Sequence, residues 1–286
     1  MRFLFLLTAV LAGLAQAEPK VTRDIEYAVV GEHALKLDLY LPPEGVALQP
    51  PLIVYVHGGA WRAGNKSEMP FGKLVAQGFA VASVDYRLST EAPFPAQAHD
   101  LKAALRFLRA EGAKYQIDAA RIAITGGSAG GHLAALIGVS NGVKELEGSE
   151  GTHPGVSSDV QAIISLYGAS NLETILSQST GHGLSVRVPA LQLLLGSQPQ
   201  ENPTLARLAS PVTHVDATDP PLLLIHGDED PQMPFAQSQE LLRAYEAVKR
   251  PAQLEVIHGG KHGGAQFYDE TRIELMAKFL RAAGRS

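Results

Sequence analysis

Six short, mostly apolar runs divide this chain at wide intervals: Leu52 to Val56, Ala80 to Val84, Ile122 to Thr125, Ala162 to Leu166, Leu222 to Ile225 and Leu254 to Ile257. Each is too brief for an independent helix and too evenly apolar for a strand wet on one side, so each is read as a strand covered on both faces. Between them the period changes. Leu101, Ala104, Leu105 and Leu108 recur at helical spacing, as do Ile273, Met276, Ala277 and Leu280, while Leu241, Leu242 and Tyr245 share another helical face. Strands alternating with amphipathic helices imply an α/β fold, a mostly parallel central sheet with helices on both faces. Ahead of this alternation, Arg23 to Val30 and Ala34 to Leu41 flank Gly31-Glu32, with Leu35, Leu37, Leu39 and Leu41 at period two. That is an antiparallel hairpin, ended by Pro42-Pro43.

Over 286 residues, 45% of them hydrophobic, such a chain can bury one full-sized core, so residues 18–286 are expected to form a single domain. One stretch breaks the rhythm. Asn171 to Ala209 holds a Ser/Thr/Gly/His-rich segment, then Leu191 to Leu195, then a polar Gln/Pro/Asn run. It reads as an insertion over the sheet, either a lid or acyl-pocket wall or a helical packing element. At the other end, Arg2, the apolar run Phe3 to Leu14 and Ala15-Gln16-Ala17 have the layout of a signal peptide cleaved after Ala17. The run is too short to span a bilayer. A periplasmic or secreted protein is therefore expected, without a membrane span in its mature form. The chain has no cysteine, which excludes disulfides, thiolate catalysis and lipidation of a leader cysteine. A formal net charge of −5 with mixed signs gives no basic stripe for nucleic acid.

Chemistry concentrates at the ends of the predicted strands. Ile122 to Thr125 runs into Gly126-Gly127-Ser128-Ala129-Gly130, the pattern G-x-S-x-G between a strand and a helix. A serine on that sharp turn projects its hydroxyl at the sheet's edge, and small residues on either side let strand and helix approach. Ser128 is the candidate nucleophile. Upstream, Leu52 to Val56 runs into His57-Gly58-Gly59. Acyl transfer develops an oxyanion, and backbone amides stabilise it; Gly58, Gly59 and Ala129, directly after the serine, are the candidate donors. His57 is expected to orient this loop rather than to act as a base. Downstream, one strand ends in Asp228, Glu229 and Asp230, and another in His258 and His262 among glycines. The order serine, acid, histidine fits hydrolases of this architecture, with more than one candidate for the acid and the base. His258 and His262 are an unpromising metal pair, since Gly259 and Gly260 disfavour the helix that would align them. No metal or other cofactor is expected.

The segments His57-Gly58-Gly59, Asp85-Tyr86-Arg87-Leu88 and Gly126 to Gly130 resemble the α/β-hydrolase superfamily. More narrowly, they resemble the hormone-sensitive-lipase-related esterases and the bifunctional feruloyl and acetyl-xylan esterase group, and the likeness runs through Trp61 to Lys66. Ala60 and Trp61 stand where the lipase-like branch has a third glycine, which favours the carbohydrate-esterase group; arylformamidases share a similar His-Gly-Gly-x-Trp run. The resemblance implies Asp230 as acid and His262 as base, leaving Asp228 as the rival acid and His258 as a packed or hydrogen-bonded residue. It implies a serine esterase acting on short acyl, acetyl or feruloyl esters, small or linked to polysaccharide. An amide hydrolase on the same machinery is the alternative. A non-catalytic binding protein of this fold typically loses the serine or the histidine, and both stand here. Trp61 and Tyr86 are candidates for lining the substrate cleft. His132 and His226 are read as structural, and Asp100 as a cap or a salt-bridge partner of Arg87. No feature of the chain sets its oligomeric state.

Overall fold

The computed structural model describes residues 18–284. The proposed signal peptide, residues 1–17, lies outside the described residues. Eight strands form one sheet in the order β1-β2-β4-β3-β5-β6-β7-β8. They are β1 (Lys20–Val30), β2 (His33–Leu41), β3 (Pro51–Val56), β4 (Ala80–Val84), β5 (Asp118–Gly127), β6 (Ala162–Leu166), β7 (Leu222–Gly227) and β8 (Ala252–Ile257). β1 and β2 form the antiparallel hairpin, with Val30 opposite His33 at its turn, and β2 lies antiparallel to β4. From β4 to β8 every pairing is parallel.

The pleat distributes each buried strand between two cores. Leu52, Val54 and Val56 join one apolar cluster, Ile53 and Tyr55 the other. Leu222 and Leu224 likewise oppose Leu223 and Ile225. The first cluster takes α2 (Ala96–Ala110), α3 (Ala129–Val139), α6 (Gly181–Leu195) and α8 (Phe235–Ala247); the second takes α1 (Gly72–Ala76) and α9 (Glu270–Ala283). The helical faces predicted for α2 and α9 are the buried ones. Short helices α4 (Lys144–Glu147), α5 (Ile175–Gln178) and α7 (Pro203–Leu208) complete the described set. The chain thus has the α/β-hydrolase fold. One expectation fails at the rim: Leu254 to Ile257 is not covered on both faces, because β8 is the sheet's last strand and stays half-exposed.

Strand order explains where a site forms. After β3 the chain places β4 on one side and β5 on the other, so the loops leaving the carboxyl ends of β3 and β5 diverge and open a crevice. His57-Gly58-Gly59 leaves β3 and Ser128 leaves β5 at that point.

Candidate active site

Ser128 sits between β5 and α3 with φ of +56° and ψ of −120°, a backbone region that side chains rarely occupy. The turn is held by Ser128 N–H donating to Leu166 O and by Ser128 O accepting from His132 N–H, each at 2.9 Å. Its tightness demands glycine: a β-carbon on Gly130 would lie 2.1 Å from Val56 O and 2.6 Å from His57 O. Ser128 therefore projects over the first turn of a helix whose 11 residues are all buried. The positive end of that helix faces the same space.

His262 reaches across from the loop after β8, its Nε2 2.9 Å from Ser128 Oγ and its Nδ1 2.7 Å from Asp230 Oδ2. A carboxylate only accepts, so Nδ1 carries the proton and Nε2 presents a lone pair to the serine hydroxyl. Asp230 Oδ1 accepts from the amides of Gln232 and Met233, both at 2.8 Å. Burial alone would raise the Asp230 carboxyl, but hydrogen bonds from His226 and His262, attraction to His262 and the Met233 amide outweigh it, holding the group well below the usual carboxylate range. Asp228 is elsewhere: it pairs at 2.7 Å with His258, whose side chain is 87% exposed, so the rival acid and the second histidine form a separate surface pair.

The loop after β3 is built from behind. Tyr86 OH donates to His57 O at 3.1 Å and to Gly58 O at 3.3 Å, and the two rings stack 4.4 Å apart. Gly59, at φ +93°, accepts at its carbonyl from the amides of Arg62 and Ala63, and a β-carbon there would lie 2.0 Å from Ala63 O. Among the described residues the amides of Gly58, Gly59 and Ala129 meet no acceptor. Gly58 stands against the Ser128 turn: a β-carbon added to it would lie 3.7 Å from Ser128 Cβ.

Trp61 and Tyr86 separate. Trp61 does border the narrow cleft at Ser128, but it is 1% exposed and its Nε1–H donates to His132 Nδ1 at 3.0 Å. Tyr86 does not line that cleft; it is buried beneath the loop after β3, a correction to its expected place. His132 accepts at Nδ1 and hence donates from Nε2 to Ala209 O at 2.7 Å. Burial pushes this imidazole down to about 4, so it stays neutral, with both nitrogens occupied. His226 is buried between Ser238 Oγ, Met233 O and Asp230. Arg87 grips Asp100 through Nε and Nη2.

The structure adds residues not singled out in the sequence. Tyr167, at the carboxyl end of β6, packs edge-on against His262 at 4.9 Å, and its hydroxyl meets that of Tyr268 at 3.2 Å. From the 171–209 segment, α6 brings Val186, Arg187 and Ala190 to the cleft opposite Ser128 and Ala129. The cleft's empty space, mouth included, is about 230 Å³. Larger hollows, such as the one around Leu52, Arg121 and Leu280, lie away from Ser128.

The BD-FAE family model matches residues 37–245 of the chain. The chain belongs to the BD-FAE family. The match spans the β3 loop, the Ser128 turn and Asp230, and ends ahead of His262. In sequence, the chain is 33% identical over 244 residues to esterase LipQ of Mycobacterium tuberculosis, covering 82% of this chain and 54% of that one. The chain spans about half the length of the curated relatives it matches. Among solved structures it is similar to a truncated carbohydrate esterase from gut microbiota, with TM-score 0.86 and 33% identity over 95% of this chain and 99% of that one. It is also similar to an esterase of Thermogutta terrifontis, with TM-score 0.74 and 26% identity over 94% and 93%. The likeness to the feruloyl and acetyl-xylan esterase group read from the motifs thus agrees with the family match over residues 37–245 of this BD-FAE chain and with its carbohydrate-esterase neighbour.

Proposed function

We propose that this chain is a carboxylic-ester hydrolase that works through an acyl-enzyme on Ser128. The observation that carries this reading is the unbroken hydrogen-bonded line from Asp230 through His262 to Ser128, beside amides that meet no acceptor among the described residues. His262 Nε2 takes the hydroxyl proton as Oγ attacks the ester carbonyl. The resulting oxyanion lies against the amides of Gly58, Gly59 and Ala129. Asp230 stabilises the imidazolium and keeps its tautomer. Collapse breaks the bond to the alcohol, which leaves with the proton from Nε2 and a Ser128 ester behind. Water, deprotonated by the same nitrogen, then attacks that ester, releases the acid and restores the serine.

A cleft this small, walled by Trp61, Val186 and Met233, favours a short acyl group such as acetyl over feruloyl. The carbohydrate esterase among its structural neighbours supports a sugar as the alcohol. The leader-like Arg2 to Ala17 segment supports an exported protein.

The test is chemical. Ser128→Ala should remain folded without turnover of p-nitrophenyl acetate, and an organophosphate should attach to Ser128 of the wild type. Labelling at another residue overturns the mechanism. Acetate release from acetylated xylan supports the sugar ester, whereas turnover confined to simple esters removes it. Faster cleavage of N-formylkynurenine than of any ester makes the chain an amide hydrolase.

A further inference from the structure

One charge on the cleft meets no hydrogen-bond or ion-pair partner among the described residues. Arg187 lines the cleft with Ser128, Ala129 and Met233, yet is only 3% exposed. Its Nε and Nη2 are buried and meet no acceptor among the described residues. Burial pulls the guanidinium down to about 10, with Asp230 opposing, so it is charged at neutral pH. Asp230 is already committed to His262 and to the amides of Gln232 and Met233.

Keeping a buried cation unpaired is costly. The cost is offset when a partner arrives with the substrate. Nε and Nη2 lie along one edge of the guanidinium, the fork that takes both oxygens of a carboxylate. The same chain shows that edge filled: Arg87 presents Nε and Nη2 to Asp100 at 2.8 and 2.6 Å.

We propose that Arg187 anchors a carboxylate carried by the substrate close to the scissile ester. This rests on Ser128 being the nucleophile. The carboxylate has two possible sources, the acyl group, as in a half-ester of a dicarboxylic acid, or the alcohol, as in an acetylated uronic acid.

Two matched pairs separate them: p-nitrophenyl hemisuccinate against p-nitrophenyl butyrate, and acetylated methyl glucuronoside against acetylated methyl glucoside. In the wild type, kcat/KM for the charged member of one pair should exceed that of its neutral match by about 10- to 100-fold, the usual worth of a charge-assisted fork. The pair showing the preference identifies which side carries the carboxylate. Arg187→Met should abolish that ratio, and Arg187→Lys, a point charge without the fork, should keep part of it. Arg187→Met should also melt at a higher temperature, because it removes an uncompensated buried charge; an arginine that merely held the fold would lower it. If Arg187→Met fails to fold, the wild-type ratios and Arg187→Lys decide. Neutral esters hydrolysed as fast as charged ones in both pairs, or a preference that survives in Arg187→Met, overturn the anchor and leave Ser128 in place. No hydrolysis of any of the four esters overturns both readings.

Discussion

Asp230→Asn preserves the shape of the acid and removes its charge, which isolates what the carboxylate does. Oδ1 accepts from the amides of Gln232 and Met233, and Oδ2 takes the Nδ1 proton of His262 at 2.7 Å. The single oxygen of an asparagine stays with the two backbone donors, turning its NH₂ toward His262. An imidazole facing a donor offers a lone pair at Nδ1 and carries its proton on Nε2. There it confronts Ser128 Oγ at 2.9 Å with a hydrogen and cannot take the hydroxyl proton. Charge adds to this: a carboxylate and an imidazolium about 4 Å apart attract by about 4 kcal/mol at an effective dielectric of about 20. At about 1.36 kcal/mol per decade that is roughly a thousandfold in rate. With the wrong tautomer included, kcat should fall by about 10³ to 10⁴ while KM changes little. Initial rates on p-nitrophenyl acetate, with melting curves to establish folding, measure it. Asp228→Asn is the matched control, since its partner His258 is exposed, and it should keep kcat within about twofold. A folded Asp230→Asn that retains more than about a tenth of wild-type kcat, or a control that loses it, refutes the assignment.

Gly130→Ala places a β-carbon 2.1 Å from Val56 O, so the turn must shift; overpacking of about 1–3 kcal/mol should lower Tm by several degrees and kcat by about 10²-fold, and wild-type values for both contradict it. Tyr86→Phe removes the hydroxyl beneath His57 and Gly58, so kcat on p-nitrophenyl acetate should drop about tenfold with KM nearly constant; a change in KM alone places Tyr86 in substrate contact. Asp219 is 2% exposed, and burial pushes its carboxyl up to about 7, from about 3.9 in the unfolded chain. The unfolded state therefore loses its proton first, and the stability tied to this group falls as pH rises from about 4 to about 7. Asp219→Asn should raise Tm relative to wild type at pH 8 but not at pH 4, and a gap independent of pH defeats the reasoning.

The strands were legible because burial on both faces leaves continuous apolar runs, and every run from Leu52 to Ile257 is a strand. What periodicity cannot supply is neighbourhood. Sheet order decides which strand ends at the rim, and β8, read as covered, does so. The candidate site residues at strand ends were visible for the same reason: Ser128, Asp230 and His262 each follow an apolar run, Ser128 and His262 among glycines. Arg187 was invisible because one arginine in a helical segment ordinarily faces water, and only the packing of α6 turns it inward. Tyr167 had a weak signal, its place one residue beyond β6 on the same edge as the serine. Tyr86 misled because an aromatic near a site suits a cleft wall and a loop's underside equally well.

The buried contact from Trp61 through His132 to Ala209 joins the loop after β3, helix α3 and the far end of the 171–209 segment. Grafting that segment from a relative to change substrate range is then not a free exchange of a surface flap. The transplant has to deliver a carbonyl at position 209 to a fixed imidazole, or the indole that shapes the rim loses its anchor.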